Sequence, residues 1–210
     1  MLKKRLPYLF YDNYYSDKIE SQMDYFISWT LRCAEKKYEN IDQKVNLYSK
    51  MILSRILFDD EHFLNDKNVI SVICGKNFPI NNGHIDLWVE IQIDGIENNF
   101  VIIFENKVYT GIRNGQLEKY KNYIDNFYLN KNYQIRYILF RGDSLCNGDY
   151  EKCKMTGFNP ISMRDIVEIL KNYDSTGNDL FDEFWYNWFI SKEEFENLIK
   201  NKTELFGKSL

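Results

Sequence analysis

An α/β fold, with a mixed central sheet flanked by helices, follows from three features of the 210-residue sequence. The run Val101-Ile102-Ile103-Phe104 has almost no polar break, which suits a strand buried on both faces. The preceding segment, His84 to Ile93, alternates strictly and is joined to that run by a turn at Asp94 to Asn99 containing Gly95 and Asn98-Asn99, so the two predict an antiparallel hairpin. Helical stripes occur on both sides of the hairpin. The order helix, helix, strand, hairpin, helix, strand, helix, helix gives a sheet covered on its faces.

The first helix is read over Ser16 to Lys37, where Ile19, Met23, Phe26, Ile27, Thr30, Leu31 and Ala34 recur at helical spacing. Ser16 is its N-cap, and Asp17 and Glu20 place negative charge near the first turn, where the helix dipole favours it. Glu20 lies at the margin of the stripe, with Asp24 one turn on. Asp42 to Phe58 is a second helix, with Val45, Tyr48, Ile52 and Ile56 along one side. Val69 to Cys74 reads as a short strand, followed by a turn-rich stretch through Pro79 and Gly83.

In the hairpin, Ile85, Leu87, Val89, Ile91 and Ile93 share one face, and His84, Asp86, Trp88, Glu90 and Gln92 share the other. After Gly111 the pattern turns helical, with Gln116 and Tyr120 one turn apart and Leu117, Tyr123 and Ile124 as core candidates. Gln134 to Phe140 predicts an interior strand beside the one ending in Glu105. Arg141 to Phe158 reads as a loop. Pro160 and Ile161 lead into a helix through Leu170, with Ser162 as N-cap and Asp165 completing a capping box. A last helix begins near Asn178, with Leu180, Phe181, Phe184, Trp185, Trp188 and Phe189 in one stripe. Such a stripe packs on a core or on a partner subunit, and a homodimer through this helix is one use for it.

Composition narrows the function classes. The length fits one domain, residues 1–210. Hydrophobic residues make up 44% and aromatics 17%, enough for a packed core. No apolar run reaches the roughly 18 residues of a membrane span. Met1 to Pro7 carries charge with no apolar stretch behind it, unlike a secretory signal. Cys33, Cys74, Cys146 and Cys153 have neither zinc-site nor disulfide-scaffold spacing, which predicts reduced thiols in a cytoplasmic protein. The net charge of −4 does not announce a nucleic-acid binder. Lys3, Lys4, Arg5, Arg113, Lys119 and Lys121 are candidates for a local basic patch or for ordinary solvated charges. No phosphate-loop motif is present, so NTPase chemistry is not expected.

Chemistry concentrates at the end of the buried strand. Glu105 and Lys107 share a face there, while Asn106 points the other way. Charges at such a position are costly unless paired or bound to a ligand. A structural Glu–Lys pair is one reading. The other comes from the hairpin, which brings Asp86 beside Glu105: two carboxylates and an ammonium at one spot make a divalent-metal site with a basic or water-orienting group. His84 shares the face of Asp86 and either touches that site or is structural. His62 has no ligand partner at suitable spacing.

Three segments carry a family resemblance: Gly83-His84-Ile85-Asp86-Leu87, Phe104-Glu105-Asn106-Lys107 and Gln116-Leu117-Glu118-Lys119-Tyr120. Together they resemble the PD-(D/E)XK nuclease superfamily, in its bacterial branch with a Glu-Asn-Lys core and a Gln-Leu-x-x-Tyr helix. The motifs span Gly83 to Tyr120, and the element order is similar over most of the chain. The resemblance implies a restriction-endonuclease-like αβββαβ core with extra N- and C-terminal helices. It implies a metal-dependent nuclease acting on DNA, with RNA left open, in restriction, phage defence or repair. Asp86, Glu105 and the main-chain carbonyl of Asn106 would ligate Mg²⁺, with Mn²⁺ as a substitute. Lys107 would orient or deprotonate the attacking water, and Gln116 would hold water or phosphate. Glu20 matches the first-helix acid that assists the metal site in related nucleases; its other reading is a charge at the helix dipole. The competing functions are a nuclease fold that binds nucleic acid or protein without cutting, as a regulatory or immunity component, and a structural or interaction protein.

Overall fold

The computed structural model describes residues 19–80, 83–108, 110–142 and 145–186. Ser16, Asp17, Trp188, Phe189 and the basic triplet Lys3, Lys4 and Arg5 lie outside them. Among the described residues the sheet has five strands: β1 (Val69–Ile80), β2 (Gly83–Ile93), β3 (Asn99–Lys107), β4 (Tyr133–Arg141) and β5 (Asn159–Ser162). They lie side by side in chain order, antiparallel from β1 to β3 and parallel from β3 to β5. Glu35 adds an isolated parallel bridge to Val69.

Two cores form because the strands alternate. Phe100, Ile102 and Phe104 of β3 and Leu87, Val89 and Ile91 of β2 face α1 (Ile19–Cys33), α2 (Gln43–Phe58), α5 (Met163–Leu170) and α6 (Asp179–Trp185). Val101 and Ile103 of β3 face α3 (Gln116–Tyr128) and α4 (Asn147–Thr156), packing with Leu117, Tyr120, Ile124 and Cys153. The hairpin expected from residues 84–107 is therefore present, except that Ile85 packs in the second core. β3 is buried along almost its whole length because helices cover both faces.

Helix ends follow local chemistry. Asp42 caps α2 by accepting from the Val45 N–H at 3.1 Å. Ser162 and Asp165 form the expected capping box of α5. The first helix ends at Cys33, short of the expected Lys37, and a 3-10 turn at Lys36–Tyr38 follows.

Three expectations are corrected. β1 runs on to Ile80, past the expected end at Cys74. As an edge strand it tolerates Pro79. Gly75 belongs there because a Cβ would come within 3.1 Å of the Trp88 ring across the ladder. The expected loop at Arg141–Phe158 contains α4, which ends at Gly157 in the left-handed conformation (φ 78°). The dipeptide step before α5 is the short strand β5, paired to β4.

The aromatic stripe of α6 is spent within the chain. Phe181, Phe184 and Trp185 are buried, and the Trp185 Nε1–H donates to Thr30 Oγ1 at 2.9 Å. Phe26 stacks on Phe184 with centroids 4.9 Å apart. The described part of α6 thus leaves little aromatic surface for a homodimer. Among the described residues no helix is long and apolar enough to cross a membrane. Truncation of Trp185 to alanine removes both packing and a buried hydrogen bond, so Trp185→Ala should lower stability by about 3–5 kcal/mol, read as a shift in the urea midpoint.

Candidate active site

The β2–β3 register pairs Leu87 with Phe104 and Trp88 with Ile103. The pairing ends there, and the residues that follow, Asp86 and Glu105, meet on the side of α3, where Asp86 lines a cavity with Gln116 and Tyr120. The Asn106 N–H donates to Asp86 Oδ2 at 3.1 Å, tying the acid of one strand to the backbone of the other. Glu105 is wholly buried, and Lys107, on the same face of β3, pairs with Glu105 Oε1. Asp86 and Lys107 line a cavity of about 450 Å³ together with Glu20, His84, Thr110, Arg113, Lys119 and others.

The electrostatics of this corner are those of two neighbouring acids, Glu105 wholly buried and Asp86 half-buried at the cavity. Burial pushes Asp86 up to about 7, with repulsion from Glu105 and then Asp24 adding to it, and Lys107 and the Asn106 N–H pulling the other way. Glu105 is also raised, by burial first, with Lys107 opposing. Its Oε2 is buried and lacks a hydrogen-bond partner. Among the described residues no group of three or more His, Cys, Asp or Glu side chains gathers into a ready metal cage.

Gln116 lines the cavity and is hydrogen-bonded within the site. Its Nε2 donates to Glu105 Oε1 at 2.6 Å and to the Tyr120 hydroxyl at 2.9 Å, and its Oε1 accepts from the Arg113 N–H at 3.2 Å. It aims Glu105. Tyr120 is buried against the same pair, and burial followed by Glu105 raises its hydroxyl pKa. Glu20 also meets the cavity, and its Oε1 accepts from the Val108 N–H at 3.1 Å and from Thr110 Oγ1 at 2.9 Å. It fastens α1 to the segment leaving β3, a use that neither earlier reading of Glu20 contained. His84 is 59% exposed at the cavity, its Nε2 4.0 Å from Asp86 Oδ1. Of the proposed basic patch, Arg113 and Lys119 line the cavity, whereas Lys121 pairs with Asp125 at 2.8 Å. His62 lies elsewhere, beside Asn65. None of the four cysteines forms a disulfide.

Several supporting residues escape a reading of the sequence. Asp24, on α1, accepts from Asn106 Nδ2 and, at 2.9 Å, from Lys76 Nζ. Arg141 donates to the Thr110 carbonyl at 2.7 Å, and Lys152 to the Ile112 carbonyl at 2.8 Å, so β4 and α4 hold the cavity wall from behind. Asp24 lies one turn from Glu20, which was a usable signal. Arg141 stands directly after the apolar run of β4, in the same relation as Lys107 to β3.

The support includes a buried ion pair. Arg141 Nε and Nη2 donate to the two oxygens of Asp149 at 2.9 and 2.6 Å. Burial raises Asp149, but these bonds and the Cys146 N–H outweigh it and hold the acid below its ordinary value. An acid with a depressed folded value contributes stability above its unfolded pKa, and loses it as pH falls through the folded one. Asp149→Asn should cost about 3–5 kcal/mol near neutral pH, since it leaves Arg141 buried without its counter-charge. That gap to wild type should shrink below about pH 4 in urea titrations, and a constant gap would contradict the assignment.

No curated protein and no solved structure matches the chain. A family model described as the PD-(D/E)XK nuclease superfamily matches residues 17–189. That span runs from the start of α1 to beyond α6 and contains Asp86, Glu105, Lys107 and Gln116 in the arrangement described above. The chain belongs to the PD-(D/E)XK nuclease superfamily.

Proposed function

We propose that this chain is a divalent-metal-dependent phosphodiesterase that cuts DNA, with Mg²⁺ as the working ion and Mn²⁺ as a substitute. The observation that carries the reading is the pair of acids on adjacent strands, both raised chiefly by burial: Asp86 lines the cavity with Lys107, and Glu105 is buried against Lys107 just behind it. A hard cation relieves that repulsion with oxygen donors, which are what the corner offers. Glu105 Oε2 has no other partner. With Asp86 and the Asn106 carbonyl it makes a small protein donor set, and Mg²⁺ customarily keeps waters in its remaining positions. Bound there, the ion would supply Lewis acidity toward a phosphate oxygen and lower the pKa of a water.

The chain's own groups would do the rest. Lys107, at the cavity surface beside Glu105, orients the attacking water and offsets negative charge as it grows on the phosphate. Gln116 keeps Glu105 aimed. Glu20 holds the segment from Val108 to Thr110 in place as a wall of the cavity. Arg113, Lys119 and His84 bring positive or protonatable groups to the same cavity, which suits a phosphodiester strand despite the net charge of −4. Restriction, phage defence or repair are the roles such an activity fits.

The test is nicking and linearisation of plasmid DNA, with a matched RNA alongside. Wild type should cut with Mg²⁺ or Mn²⁺ and stop with a chelator. Asp86→Asn and Lys107→Ala should each slow cleavage by about a hundredfold or more. Equal rates in all three proteins would reject the site. DNA binding without cleavage in wild type would instead support the non-cutting, regulatory reading.

A further inference from the structure

We infer that Asp24, across the sheet from the cavity, is a positioning residue for the two-carboxylate corner, acting through Asn106. This inference rests on the metal-site reading above.

Strand alternation is the starting point. Glu105 and Lys107 face α3, so Asn106 between them faces α1. There its Nδ2 donates to Asp24 Oδ1. Its main-chain N–H meanwhile donates to Asp86 Oδ2 at 3.1 Å. One residue thus bridges acids on the two sides of the sheet. The Asn106 side chain is wholly buried and its Oδ1 has no partner, so the bond to Asp24 is what orients it. Asp24 is itself fixed. Its Oδ2 takes Lys76 Nζ at 2.9 Å, and Lys76 also donates to the Ser21 carbonyl at 3.1 Å and stands 3.9 Å from the Tyr25 ring centre.

A buried ion pair of this kind is a poor device for stability alone. Desolvation offsets much of the attraction, and an apolar pair of like volume often serves as well or better. An apolar pair, however, would not grip the Asn106 amide. With the grip lost, the backbone at Asn106 keeps its pairing to β4 but loses its anchor on the α1 side, and a small shift there moves both the N–H that holds Asp86 and the carbonyl proposed as a ligand. Partners that orient ligands in this way typically govern about 10–100-fold of metal affinity.

The experiment measures Mn²⁺ binding to the full chain without DNA, from the paramagnetic resonance of unbound Mn²⁺, alongside thermal unfolding. The double variant Asp24→Leu/Lys76→Met replaces the ion pair by apolar groups. It should keep the wild-type melting temperature and bind Mn²⁺ at least about tenfold more weakly. Asp24→Asn retains an acceptor for Asn106 Nδ2 and should stay within about threefold of wild type. If the double variant does not fold, Asn106→Leu removes the same grip, keeps the main-chain N–H and should show the same tenfold loss. Wild-type affinity in a folded double variant, or in Asn106→Leu, overturns the inference. So does an equal loss in Asp24→Asn and the double variant, because charge and not the hydrogen bond would then be at work. If wild type itself binds no Mn²⁺, the metal reading falls and takes this inference with it. If wild type binds and every variant matches it, only the positioning role falls.

Discussion

Two acids, Asp86 at the cavity and the wholly buried Glu105, are held close together where β2 and β3 stop pairing. Each is raised toward neutrality, and each would lower its energy by swinging toward solvent. Neither is at liberty to do so. Asp86 is tied to the Asn106 N–H, and Glu105 lies under Lys107 and Gln116. Much of the surrounding structure is explained by the need to keep this arrangement. An antiparallel hairpin supplies the juxtaposition, and a parallel neighbour, β4, buries the second strand of the pair.

The helices contribute unequally. α3 delivers Gln116 and Tyr120 to Glu105, whereas α1 works from the other face through Asp24 and from the side through Glu20. The segment leaving β3 has few apolar anchors of its own, and it is held by polar contacts from three elements: Glu20 of α1, Arg141 of β4 and Lys152 of α4. Buried polar contacts of this sort contribute modestly to net stability but are costly to break, and they fix one geometry among many of similar energy.

How much of this was legible depended on whether a local pattern recorded it. Strand phase was legible, because alternation over His84 to Ile93 and the apolar run of β3 leave one consistent pairing, and that pairing places residues 86 and 105 on one side of the sheet. Ser162 and Asp165 announced the start of α5 in the same local way. α4 was not legible. It buries only Asp149, Cys153 and Thr156, carries Gly148, and is anchored by Arg141 at the end of β4. The second half of β1 was hidden by Gly75 and Pro79, which usually mark turns and here serve ring packing and an edge. Within the site, Lys76 was missed because it lies on that hidden stretch. The hydrogen bonds of Gln116 to Glu105 and to Tyr120 are tertiary contacts, which helical spacing alone does not convey.

The most direct measurement of the central claim is a crystal of the chain soaked with Mn²⁺ and a short DNA duplex, read by anomalous scattering at the manganese edge. The account predicts one strong peak between the carboxyl groups of Asp86 and Glu105, within about 2.0–2.3 Å of their oxygens, with the Asn106 carbonyl beside it. Ordered DNA at the cavity with no peak at those two acids, or a peak on other residues, would contradict it.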